Sequence, residues 1–159
     1  MKFKIAVISI AAILLIALVV FFAMQYTPSN VLNYVRAANL EIDGGVLTVP
    51  AKYTVIESGA FNGRIEFDTV IIEGKADIGS RAFYNCTSLS RVVIKESCDI
   101  GEEAFADCPM LKEIEVLSPG GSCADNAFGG HGGAVVSCYR GSEAWEVARR
   151  ADMSVIELD

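Results

Sequence analysis

The chain repeats itself every 22 residues. Phe61, Phe83, Phe105 and Phe128 follow at intervals of 22, 22 and 23, each directly after an alanine (Ala60, Ala82, Ala104, Ala127). Five residues before each Phe stand Ile56, Ile78, Ile100 and, in the last copy, Cys123. Nine residues after the first three come Val70, Val92 and Ile114, and eight after the last comes Val136; two further on lie Ile72, Ile94, Val116 and Cys138. A fixed period of this length outranks any local propensity, because it means one supersecondary unit stacked on copies of itself. The x-V-x-I stretch alternates with period two, which makes it a short strand with one face inward. The Ala-Phe stretch, flanked by Gly, Ser, Asp and Glu, fits a single turn of helix. One strand and one turn cannot bury their own apolar side, whereas stacked coils can, and stacking joins the strands in a parallel ladder. The expected fold is an α/β repeat: a short solenoid of about four coils of 22–23 residues. Its core slots are Phe61, Phe83, Phe105, Phe128, Ile56, Ile78, Ile100, Cys86 and Cys108, with the phenylalanines as an internal spine.

Both ends of such a stack expose apolar edges and need caps. At the N-terminal end, residues 40–50 place Gly44-Gly45 between Leu40–Ile42 and Val46–Val49, a hairpin-like turn. At the C-terminal end, residues 141–159 predict a helix and a strand. Ser142 suits the N-cap, Glu143 the first turn, and Arg149 and Arg150 the last. Trp145 is expected to pack over the last coil. Residues 26–39 contain Pro28 and then Val31, Leu32, Val35 and Ala38 at helical spacing, and read as a stalk with a short helix.

Residues Ile5 to Met24 carry no charge. Such a run at about 1.5 Å per residue spans roughly 30 Å, the thickness of a bilayer's hydrocarbon core. Residues 5–25 are therefore expected to be a transmembrane signal-anchor helix. Lys2 and Lys4 favour a cytoplasmic segment 1–4, a juxtamembrane stalk 26–39 and an extracytoplasmic repeat domain 40–159. The rival is a cleaved signal peptide, which would make the repeat domain secreted. Against it stand the length of the apolar run and "FFAMQYT", a poor small-x-small cleavage site. The exported part carries 11 basic against 20 acidic residues, a net of −9, so nucleic acid is no expected partner.

"IGSRAFYNCTSLSRVVI" and "IGEEAFADCPMLKEIEV" resemble the BspA-like leucine-rich repeat, roughly I-G-x-x-A-F-x-x-C-x-x-L-x-x-I-x-I. The resemblance covers about residues 46–140. The ending "CYRGSEAWEVARRADMSVIEL" is similar to the Gly-Ser-x-Ala helix-and-strand tail that closes such arrays. The resemblance implies a surface-exposed or secreted binding scaffold, adhesion as a function, a protein or glycan partner at the cell surface, and no enzyme class. This chain departs from the pattern with Arg64 in the first Cys slot and Phe67 in the first Leu slot, and with His131 and Ala134 in the last copy.

Among the five cysteines, Cys86 and Cys108 share one repeat slot and read first as small buried fillers with a weak S–H donor. A disulfide between these adjacent coils, or a metal column with His131, are the sharper alternatives; the metal lacks a C-x-x-C or H-x-x-x-H spacing and a fourth ligand. Cys98 and Cys123 are the first candidates for a disulfide. Cys108 with His131 is the one combination that could serve a cysteine-dependent enzyme. No catalytic residue, metal or cofactor is expected. Outward strand slots hold Ile71, Val93, Glu115 and Ser137; the apolar pair Ile71 and Val93, framed by Arg91, Lys95, Lys112 and Glu113, is a candidate binding face whose plainer reading is ordinary strand propensity. The expectation is a membrane-anchored cell-surface interaction or adhesion module. The alternative is a structural or assembly subunit of a membrane complex, with the cysteine enzyme a distant third.

Overall fold

The computed structural model describes residues 14–19, 21, 28–129 and 133–159. The elements run β1 (Val31–Leu32), α1 (Tyr34–Ala37), β2 (Ile42–Asp43), β3 (Val46–Val49), β4 (Val55–Ile56), β5 (Thr69–Ile72), β6 (Ala76–Ile78), β7 (Arg91–Ile94), β8 (Cys98–Ile100), β9 (Glu113–Val116), β10 (Val135–Tyr139), α2 (Glu143–Arg150) and β11 (Ser154–Leu158). They wind into a β-solenoid with two ladders: a four-stranded sheet β1-β4-β6-β8 and a seven-stranded sheet β11-β10-β9-β7-β5-β3-β2. Among the described residues only β2 and β3 pair antiparallel.

The ladders differ from the sequence reading in two respects. Each repeat carries two strands, because the Ile56, Ile78 and Ile100 slot forms a second parallel ladder in direct register. The seven-stranded sheet also has six parallel rungs, so the solenoid makes about six turns where four phenylalanines suggest four. The outermost turns have no phenylalanine to announce them. In the first of these, Leu32 pairs with Ile56 and is wholly buried, so the segment expected as a free stalk joins the core.

The Ala-Phe corner is not helical. It is a run of tight turns bracketed by left-handed residues two before and two after each of the first three phenylalanines: Gly59 and Gly63, then Arg81 and Asn85, then Glu103 and Asp107, with φ between 53° and 72°. Left-handed backbone costs an ordinary residue about 1–2 kcal/mol. It turns alternate N–H groups toward the next coil. The Phe61 N–H donates to the Ala82 carbonyl at 2.8 Å, Phe83 to Ala104 at 2.8 Å and Phe105 to Ala127 at 2.9 Å. The intervening Asn62 and Tyr84 amides close turns within their own coil. This third backbone ladder satisfies groups that burial would otherwise leave unpaired.

Gly79 and Gly101 follow the inward isoleucines because the coils touch there. A Cβ on Gly79 would lie 2.6 Å from the Ser58 nitrogen and 2.8 Å from the Ile56 carbonyl oxygen, closer than atoms can approach.

The N-terminal end closes with the β2–β3 hairpin, turned by Gly44 and Gly45 at φ 55° and 86°. At the C-terminal end the Ser142 hydroxyl accepts the Trp145 N–H at 3.2 Å, and α2 buries Ala144, Val147 and Ala148. β11 then extends the ladder beyond β10. Of the expected transmembrane segment 5–25, only residues 14–19 and 21 are described; they are helical and exposed. Among the described residues no helix is long and apolar enough to cross a membrane.

Candidate interaction face and the column behind it

Behind the ladders the four phenylalanines form one column, each at most 2% exposed. Rings 61 and 83 stack at 4.7 Å and 5°, rings 83 and 105 at 5.2 Å and 7°, rings 105 and 128 at 6.3 Å and 22°. The last gap widens where the period lengthens to 23 residues. Phe67, in the Leu slot of the first copy, meets Phe61 edge-on at 6.1 Å. Such pairs contribute about 0.5–1.5 kcal/mol each beyond the area they bury.

The cysteine slot lies beside this column. The Cys86 thiol donates to the Phe61 carbonyl and the Cys108 thiol to the Phe83 carbonyl, both at 3.2 Å. Each therefore reaches one coil back. In the first copy the same job falls to Arg64, whose Nη1 donates to the Ala37 carbonyl at 3.0 Å while its guanidinium lies 6.0 Å from the Phe61 ring centre. His131, the fourth occupant of the slot, lies outside the described residues, as do Gly130 and Gly132. Both thiols are buried. The adjacent Cys108 thiol and burial hold Cys86 well above the ordinary thiol range.

All five cysteines are free thiols. The anticipated Cys98–Cys123 disulfide is not formed, and the register explains why: Cys98 stands opposite Ala76, and Cys123 opposite Ile100, two residues further along the strand. Burial pushes Cys98 up to about 11 and Cys123 up to about 12, and raises Cys138 as well. Thiols held neutral are poor nucleophiles and poor metal ligands. Among the described residues no group of three or more His, Cys, Asp or Glu is placed to hold a metal.

The outward face of the seven-stranded sheet presents two registered rows. One runs Thr48, Ile71, Val93, Glu115, Ser137; the other runs Val46, Thr69, Arg91, Glu113, Val135. Ile71 is half-buried, but Val93 is only 8% exposed, so the apolar patch expected from the pair is smaller than the sequence suggests. Arg91 reaches across to the neighbouring strand. Its guanidinium reaches diagonally to Glu115, with Nε 3.1 Å and Nη2 2.5 Å from one carboxylate oxygen, and lies 3.5 Å from Glu113. Lys95 pairs with Glu73 at 3.5 Å on the next row. Exposed pairs of this kind contribute about 0–1 kcal/mol, so they shape the face more than they stabilise it.

A two-ladder solenoid with an inward I-G, an A-F corner and a cysteine hydrogen-bonded one coil back is now in view. The sequence pattern of the BspA type leucine-rich repeat region matches residues 45–132, in six copies. The chain belongs to the BspA-type leucine-rich repeat family. No curated protein and no solved structure matches it. BspA-type repeats are interaction modules, typically non-enzymatic scaffolds that bind proteins. The I-G, A-F and Cys positions are the places where this chain's coils touch one another.

Proposed function

We propose that this chain is a membrane-anchored, extracytoplasmic interaction module that engages a protein at the cell surface through the outward face of its seven-stranded sheet, and that it is not an enzyme. The observation that carries the reading is the unbroken parallel register from β3 to β10, which sets Ile71 and Val93 in line with a charged strip of Arg91, Glu113, Glu115 and Lys95. An extended, rigid and mixed surface of this kind suits a protein partner, with apolar contact at its centre and charge at its rim. The apolar run at residues 5–24 supports the anchor, and the net charge of the chain, −7, opposes adhesion to nucleic acid or anionic lipid. Cys86 and Cys108 are buried and spend their thiols on carbonyls of the preceding coil, which presents neither to a substrate.

Photo-crosslinkers placed at Thr69 and Ser137 in the full chain, expressed in its native membrane, test the face. Capture of a discrete protein that is lost with Ile71→Glu supports it; capture independent of Ile71 and unchanged by Arg91→Glu argues against it. Extraction of that membrane at alkaline pH tests the anchor. Retention of the whole chain in the pellet is expected, whereas a shorter chain in the medium would mean cleavage and secretion. The assembly-subunit alternative predicts capture of an integral membrane partner from the same membrane rather than of an extracellular one.

A further inference from the structure

The C-terminal cap holds an open depression of about 520 Å³ lined by Arg140, Trp145, Arg149, Met153, Val155 and Glu157. Its polar groups are already held in place. Glu157 accepts the Trp145 indole N–H at 3.2 Å on one carboxylate oxygen, and Arg140 through Nε at 2.9 Å and through Nη2 on the other. The Arg140 hydrogen bond, with that of Trp145 behind it, holds the Glu157 carboxyl below the usual carboxylate range, so it stays an acceptor. The Arg149 guanidinium lies 4.6 Å over the Trp145 ring, and among the described residues it makes no ion pair. Arg150, its neighbour, is occupied by Asp125 at 2.7 Å. Stacking a guanidinium on an indole leaves its in-plane N–H donors free for an anion while fixing their direction.

We propose that this depression is a subsite for a carboxylate-bearing sugar, a hexuronic acid unit of a surface glycan, with the carboxylate on the Arg149 fork and a hydroxyl edge on Glu157. The chemistry narrows the ligand in three steps. Two guanidiniums against one carboxylate make the lining net positive on a chain whose net charge is −7, which selects a single anionic group. The fixed Glu157 acceptor wants a hydroxyl donor and repels a second negative charge, which disfavours phosphate and densely acidic peptides. Met153 and Val155 offer an apolar wall for the C–H face of a ring. The subsite lies in the cap rather than among the Ile71 and Arg91 rows, so it is independent of the proposed protein-binding face.

Trp145 is the only tryptophan, so its fluorescence and its indole N–H resonance report on this depression alone. The test titrates the full chain in detergent micelles with glucuronic acid, glucose, inorganic phosphate and an aspartate-rich peptide. Glucuronic acid is expected to give a saturable Trp145 change, with glucose at least about tenfold weaker, as loss of one charge-assisted contact implies. Arg149→Gln should bring glucuronic acid down to the glucose level at unchanged melting temperature, while Arg150→Gln leaves it alone. No Trp145 response to millimolar glucuronic acid overturns the proposal, as does an equal response to glucose, to phosphate or to the peptide. Should Arg149→Gln lower the melting temperature, the contrast between glucuronic acid and glucose on the unaltered chain decides alone.

Discussion

The solenoid turns back on itself at its N-terminal end and runs on at its C-terminal end. At the N-terminal end β2 reverses against β3, α1 brings Ala37 over the column, and Arg64 ties the Ala37 carbonyl to the top of the phenylalanine stack. At the C-terminal end α2 covers the last coil, but β11 simply adds a parallel rung, and its Ile156 is 55% exposed. The N-terminal closure joins the column through a side chain, whereas the C-terminal closure rests on the small buried face of a capped helix and on one added strand. Single substitutions should therefore unravel the molecule from the C-terminal end and break it as a unit from the column.

Substitutions rank this contrast by size. Phe83→Ala removes a wholly buried ring stacked on both sides, and should cost about 3–5 kcal/mol in denaturant unfolding. Phe128→Ala, on the looser last stack, should fall at the bottom of that range or below it. Arg64→Ala removes the stronger of two donors to the Ala37 carbonyl, leaving the Leu40 N–H at 3.3 Å, and should cost about 0.5–1.5 kcal/mol. That loss should appear as faster amide exchange in α1 and β1. Ser142→Ala removes a helix cap, at about 0.5–2 kcal/mol, and should speed exchange in α2 and β11 while leaving the Phe83 region protected.

pH gives the smallest and most selective contrast. The folded-state pKa of Glu157 is depressed, chiefly by Arg140, so its contribution is present above the unfolded value near about 4.3 and lost as pH falls through the lower folded value. Exchange in β11 should rise on acidification, and Glu157→Gln should flatten that dependence. The Arg64–Ala37 bond ends on a backbone carbonyl, but the same guanidinium pairs with Glu66 at 3.3 Å, so the two ends are compared in a Glu66→Gln background. Equal sensitivity of both ends would erase the distinction.

Much of this was legible in the sequence, and the exceptions have physical reasons. The phenylalanine column and the β2–β3 hairpin follow from a fixed period and from Gly44-Gly45, signals that do not depend on context. The second ladder is hard to read because β6 and β8 are only three residues long, too short for an alternation to register. The left-handed corners were signalled at Gly59, Gly63, Asn85 and Asp107, residue types that tolerate such backbone, but Arg81 and Glu103 in equivalent slots mask the pattern. The outward face was only half visible. Position on the strand assigns Val93 outward, but the diagonal reach of Arg91 to Glu115, a long side chain lying across its neighbours, is a tertiary choice that strand alternation does not encode.

The backward reach of the cysteine slot makes the coils unequal in what each needs from the one before it. Cys86 and Cys108 find their acceptors 25 residues earlier, in the coil before their own. A whole period can be duplicated after the first, or residues 86–107 excised, and every slot still meets a carbonyl. The first coil is different, because Arg64 spans 27 residues to Ala37, and a thiol is too short to replace it. In this slot the middle coils of the chain are interchangeable, whereas the coil of Phe61 depends on a side chain long enough to reach Ala37.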